Sequence, residues 1–150
     1  RNLDLICILQ PEPLLIRADS RRIWRVLENL YVNVCKYAMP GTRVYVDAIK
    51  KDGKIQLSIK NISENPLNFQ ADELTERFIR GDVSRSTEGS GLGLSIAKNL
   101  TVLQHGSFNI YLDGDLFKVT ITFDEAVKEK KPMPPMIVPE AVQEEAQQDV

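Results

Sequence analysis

The chain has 150 residues, 43% of them hydrophobic and 27% charged, and a net charge of -2. That suits one domain with a full core and leaves no global basic field to draw it to nucleic acid or acidic lipid. Its two cysteines, Cys7 and Cys35, lack Cys-x-x-Cys or Cys/His spacing, which argues against a structural zinc site.

Residues 3–9 (LDLICIL) read as a strand, and Leu14 to Ala18 as a second short one, with Pro11 and Pro13 breaking the link. Asp19 or Ser20 is a good N-cap for a long helix from about Arg21 to Ala38. Ile23, Leu27, Leu30 and Val34 recur there in steps of three and four, which marks one buried face. Cys35 falls inside this apolar pattern and reads as a small buried residue. Pro40-Gly41 ends the helix. Val44, Val46 and Ala48 alternate as a strand, Asp52-Gly53 centres a hairpin turn, and Ile55, Leu57 and Ile59 return.

Asn61 to Gln70 is polar, contains Pro66 and reads as a loop. Ala71 to Ile79 reads as a short helix. Gly81 to Ser90 has almost nothing to bury and reads as a mobile segment. Leu92 to Leu103 predicts a second good helix. Phe108 to Leu112 and Leu116 to Phe123 predict a hairpin around Asp113-Gly114-Asp115. Prolines 132, 134, 135 and 139 then cluster among Glu and Gln, so 124–150 reads as a disordered tail: a linker, a docking segment or an appended stretch. The tail carries seven acids against three lysines, and residues 1–123 carry 16 basic and 14 acidic groups. Helices of this kind lay their apolar stripes on one face of a sheet, which predicts a two-layer α+β sandwich. No apolar run reaches the roughly 18 residues needed to cross a bilayer. The chain opens at Arg1 rather than Met, which reads as a piece of something longer.

Two segments carry chemistry. Gly89-Ser90-Gly91-Leu92-Gly93-Leu94 opens the second helix. Glycines at alternate positions let backbone approach a ligand, and the free N–H groups of a first helical turn suit phosphate oxygens. No Gly-Lys-Ser/Thr follows, so this is not a P-loop. No strand precedes it, so it is not a dinucleotide fingerprint. On the first helix, Asn29 and Asn33 stack four apart, and Lys36 stays near that face. Two amide oxygens and a cation are apt for Mg²⁺ and a triphosphate.

Together these segments resemble the GHKL ATPase/kinase superfamily, and within it the catalytic domain of two-component sensor histidine kinases. ENLYVNVCKYA resembles the N box, GSGLGLSIAKNL the G2 box, and Leu74 to Asp82 the F box and the start of the ATP lid. PGTRVYVD and GDLFKVTITF add a likeness to a Gram-positive type of such kinases. The resemblance covers about residues 3–123 and implies a GHKL-type fold: a mixed, mainly antiparallel sheet with helices on one face.

It also implies roles. Asn33 would coordinate Mg²⁺. Lys36 and Tyr37 would stand near the phosphates and the nucleotide. Asn29 takes the place of the glutamate that activates water in the related ATPases. An amide cannot take that proton, which favours a kinase over fast ATP hydrolysis. Glu28 is the neighbouring carboxylate, able to polarise an approaching imidazole. The G1 box departs from Asp-x-Gly-x-Gly. A gapless count puts Asn61 at the aspartate that accepts the adenine amino hydrogen, with Ser63 and Asn65 at the glycines. Arg80 and Arg85 would reach phosphate from the lid, and Gly89, Ser90, Gly91, Leu92, Gly93 and Leu94 would cradle it. The departures also admit a degenerate nucleotide-binding regulatory module without kinase activity.

His105 precedes Gly106 at a helix end and reads as a cap, so an acceptor histidine is expected on a separate dimerisation domain. Trp24, Tyr31 and Tyr45 read as core or interdomain packing. The implied ligands are ATP or ADP and Mg²⁺. The implied partners are the chain's own dimerisation and histidine-phosphotransfer domain and a response regulator. The setting would be the cytoplasmic part of a membrane-anchored sensor kinase, with the isolated domain a monomer.

Overall fold

The computed structural model describes residues 1–67 and 92–127. The helix expected over 71–79, the mobile segment expected over 81–90 and the chain from 128 onward lie outside them. Five strands form one sheet: β1 (Asp4–Leu9), β2 (Arg43–Lys51), β3 (Lys54–Ile62), β4 (Ser107–Asp113) and β5 (Leu116–Asp124). Their order is β1-β2-β3-β5-β4. β1 runs parallel to β2, and the other pairings are antiparallel. Helices α1 (Ser20–Tyr37) and α2 (Gly93–Leu103) pack side by side over the sheet. The expected two-layer α+β sandwich with a mixed, mainly antiparallel sheet is the fold observed.

The strand alternation decides which face the helices cover. Val44 and Val46 of β2, Ile55 and Ile59 of β3, and Phe117, Val119, Ile121 and Phe123 of β5 are buried. The intervening side chains form a polar outer face, where Lys60 pairs with Asp47 at 3.2 Å and lies over the Tyr45 ring. The β2–β3 turn takes positive φ at both Asp52 (+53°) and Gly53 (+72°), as a two-residue hairpin requires.

Asp19 caps α1, its carboxylate accepting from the Arg21 and Arg22 amides at 2.9 and 3.1 Å. The buried stripe is Val26, Leu30 and Val34, spaced by four, while Ile23 and Leu27 flank it half-buried. Leu30 and Val34 of the expected stripe are thus buried and Ile23 packs against the core, while Val26 adds a position the sequence reading missed. Three further expectations are corrected. Leu14 to Ala18 is not a strand: only Ile16 makes an isolated bridge, to Glu125. β3 continues through Asn61 and Ile62, so the loop begins later than Asn61. Cys35 is exposed and Trp24 is 71% exposed, so neither is core. Tyr31 is half-buried, and burial, with Cys7 nearby, pushes its hydroxyl pKa up.

Order also extends past Phe123. The Glu125 amide donates to Gly53 oxygen at 2.9 Å, and the Ala126 amide donates to Leu15 oxygen at 2.8 Å. Lys50 holds Glu125 at 2.9 Å, and Lys54 holds Asp124 at 2.6 Å, which keeps the Asp124 carboxyl below its ordinary pKa. The end of the fold is therefore pinned beside the residues that lead into α1.

α2 ends in a Schellman turn. The Gly106 amide donates to Thr101 oxygen and the His105 amide to Val102 oxygen, both at 3.0 Å. His105 holds the left-handed position at φ +65°, where glycine is usual. His105→Gly should therefore stabilise the fold by about 1 kcal/mol in chemical denaturation. Gly106 is needed for space: a Cβ there would lie 2.7 Å from the Phe123 ring and 2.9 Å from the Thr101 methyl. Both neighbours are buried, so Gly106→Ala should lose about 2 kcal/mol in the same measurement.

Candidate functional site

The end of α1 is stapled to the end of β3. The Met39 amide donates to Ile62 oxygen and the Glu64 amide to Tyr37 oxygen, both at 2.8 Å, and Ala38 bridges Ser63. Arg1 spans the same corner, bonded to Ala38 oxygen and to the Glu64 carboxylate. This staple fixes the helix register. It sets Asn33, just over one turn before the helix end, against Asn61 near the end of β3.

Asn33 and Asn61 line one narrow cleft between α1 and the sheet. Its walls are Leu30 and Val34 from the helix, Ile59 from β3, and Phe117 and Val119 from β5. Asn61 is 3% exposed and follows Ile55, Leu57 and Ile59 in the inward phase of its strand. Its Nδ2 donates to Ile62 oxygen at 3.1 Å, which fixes the amide orientation. Among the described residues its buried Oδ1 has no partner. The cleft is too narrow to admit a water that would satisfy it. An orphaned acceptor of this kind costs about 1–3 kcal/mol. It is the feature of the site most in need of a ligand.

Asn29 lies on the neighbouring side of α1. Its Nδ2 donates to Arg25 oxygen at 2.7 Å. Its Oδ1 lies 3.4 Å from where a Cβ on Gly93 would be. Asn29 thus seals the seam between α1 and the first turn of α2. Leu92 precedes that turn with no side-chain cap, so its leading amides have no capping side chain. Gly93, in the described part of the second chemistry-bearing segment, therefore lies beside Asn29 of the first. Leu94 is buried in the core beneath them.

The remaining candidates divide. Ser63 is buried, its amide donating to Asp115 oxygen at 2.7 Å. Tyr37 and Lys36 are exposed beyond the cleft. Glu28 is exposed and held by Arg25 at 2.9 Å, and it does not line the cleft. Arg80, Arg85, Gly89, Ser90 and Gly91 lie outside the described residues. The sequence reading missed the apolar walls Ile59, Phe117 and Val119. Their inward alternation with Asn61 was the available signal. Among the described residues, no group of three or more His, Cys, Asp or Glu side chains could hold a metal.

The family model for histidine kinase-, DNA gyrase B- and HSP90-like ATPases matches residues 18–127. The chain belongs to this GHKL family. Within the family, the GHKL domain is similar to that of sensor histidine kinases. It is 34% identical over 108 residues to the sensor histidine kinase HprS of Escherichia coli (strain K12), covering 71% of this chain and 24% of that protein. To the sensor histidine kinase WalK of Bacillus subtilis (strain 168) it is 30% identical over 136 residues, covering 87% of this chain and 22% of that one. The GHKL chain thus spans about a quarter or less of the length of these relatives. They come from different bacterial groups and do not single out a Gram-positive type. The solved mycobacterial sensor histidine kinase MprB shares the fold at a TM-score of 0.68 and 24% identity, over 83% of each chain.

Proposed function

We propose that this GHKL domain binds Mg²⁺·ATP in the Asn33–Asn61 cleft. It then delivers the γ-phosphate to a histidine on a separate dimerisation domain of its own longer chain. The observation that carries the reading is the buried, unpartnered Asn61 Oδ1. Its geometry asks for a hydrogen-bond donor, and an adenine amino group is one. Leu30, Ile59, Phe117 and Val119 supply flat apolar contact for a base once the cleft widens. Asn33 supplies a hard oxygen for Mg²⁺, and the first amides of α2 supply donors for phosphate. The metal would neutralise phosphate charge during transfer, while the chain's own residues orient the triphosphate and exclude water. Lys36, Tyr37 and the lid arginines Arg80 and Arg85 would complete the phosphate end.

Asn29 argues for transfer rather than hydrolysis. Its carboxamide is committed to the α1–α2 seam and cannot act as a base toward water. The phosphohistidine would then serve an aspartate of a response regulator, in the cytoplasmic part of a sensor kinase. Among the described residues no helix is long and apolar enough to cross a membrane.

A specific observation favours a second reading. The adenine-facing residue is neutral Asn61, and Ser63 and Asn65 replace the two glycines. A regulatory module that binds nucleotide without transferring it would look the same. Labelled ATP, added with a matching histidine-bearing helical dimer, separates the two. The kinase reading expects label on the dimer's histidine. Saturable nucleotide binding with no transferred label would replace it with the module.

A further inference from the structure

Beyond the nucleotide site, the outer face of the first turns of α1 is basic and apolar at once. Arg17, Arg21, Arg22 and Arg25 are exposed around Trp24. Arg21, Trp24 and Arg25 stand three and four residues apart and share one face. The first turn of α1 contains no acidic residue, so its arginines sit against the positive end of the helix dipole. Among the described residues, Arg17, Arg21 and Arg22 have no salt-bridge partner. An anionic partner with an apolar stripe would relieve the charge and cover the indole.

The fold delivers such a segment to this spot. Glu125 and Ala126 are bonded to Ile16 and Leu15, a few residues before α1, and the chain leaves the described fold at exposed Val127. Farther along, residues 140–150 hold Glu140, Glu144, Glu145 and Asp149 and no basic residue. Val138, Val142, Ala146 and Val150 recur every four residues among these acids. The 10 residues from 128 to 137, rich in proline, reach roughly 15–30 Å, against about 10 Å for the first two turns of α1. Lys128, Lys130 and Lys131 lie in that linker and share the sign of the arginine face, so the match belongs to the acidic block alone.

We propose that residues 138–150 dock in cis on the Arg21–Trp24 face of α1, with Arg17 and Arg22 as flanking charges. Tethering raises the effective concentration to the millimolar range, enough for a weak, salt-sensitive contact to be occupied. The chain would thus carry a built-in competitor for any acidic partner of this face.

Trp24 is the only tryptophan, so its emission reads the face directly. The test compares the full chain with a full-length variant carrying Glu140→Lys, Glu144→Lys, Glu145→Lys and Asp149→Lys. At low ionic strength the unmodified chain should show blue-shifted emission and weaker acrylamide quenching. High salt should erase both differences. Adding Arg17→Glu, Arg21→Glu and Arg22→Glu to the reversed tail should restore them. Identical spectra at low salt would overturn the proposal. So would a blue shift that disappears on dilution, which would assign the contact to a second copy. Phosphatidylserine vesicles that shift Trp24 equally in both tail forms would assign the face to a membrane, and would overturn it too.

Discussion

Asn33→Ala should leave the domain folded and lower phosphotransfer to the histidine-bearing dimer by about 10²–10³-fold. Asn33 is half-buried and lies at the edge of the apolar stripe, so truncation removes little packing. What it removes is a neutral hard oxygen facing the cleft. In the kinase reading that oxygen holds Mg²⁺, and transfer depends on positioned charge neutralisation more than on covalent chemistry by the protein. Affinity for nucleotide measured without Mg²⁺ should change far less than the rate. A variant that lost both equally would point to general damage of the cleft. Initial rates with labelled ATP at saturating Mg²⁺ make the measurement.

Asn61→Leu should move stability and binding in opposite directions. The fold should gain about 1 kcal/mol, because the change removes an orphaned acceptor from a dry apolar cleft. No new orphan is created: Ile62 oxygen loses the Asn61 amide but keeps the Met39 amide at 2.8 Å. Affinity for ATP should fall about tenfold or more, since the buried acceptor offered to the base is gone. Thermal denaturation and nucleotide titration of one variant read both effects. A purely structural asparagine would lose stability on this change and leave binding alone. If Asn61 faces adenine as proposed, Asn61→Asp should raise ATP affinity above that of the parent, since a charged acceptor makes the stronger hydrogen bond.

Much of this was legible in the sequence, for identifiable reasons. α1, α2, the Asp52-Gly53 turn and the β4–β5 hairpin carry strong periodic or turn signals, and they formed near their expected bounds. Leu14 to Ala18 failed as a strand because only Ile16 finds a partner, and that partner, Glu125, lies over a hundred residues away. The end of β3 was misread because Asn61 is polar. It sits inward through the staple between α1 and β3, a tertiary cause with no local signal. Yet its place in the Ile55-Leu57-Ile59 alternation was readable. Glu28 shows the converse. Its adjacency to Asn29 made it a candidate, but one residue along a helix is about 100° of rotation, and Arg25 holds it outside the cleft. His105 was read as a cap from Gly106 alone, and the Schellman bonds follow that reading.

A crystal structure of the domain with Mg²⁺ and a non-hydrolysable ATP analogue tests the central claim most directly. The account predicts the adenine amino group within hydrogen-bond distance of Asn61 Oδ1, the base between Ile59 and the Leu30 side of α1, and the metal on Asn33. A nucleotide bound elsewhere, with Asn61 Oδ1 still buried and unpartnered, would contradict it.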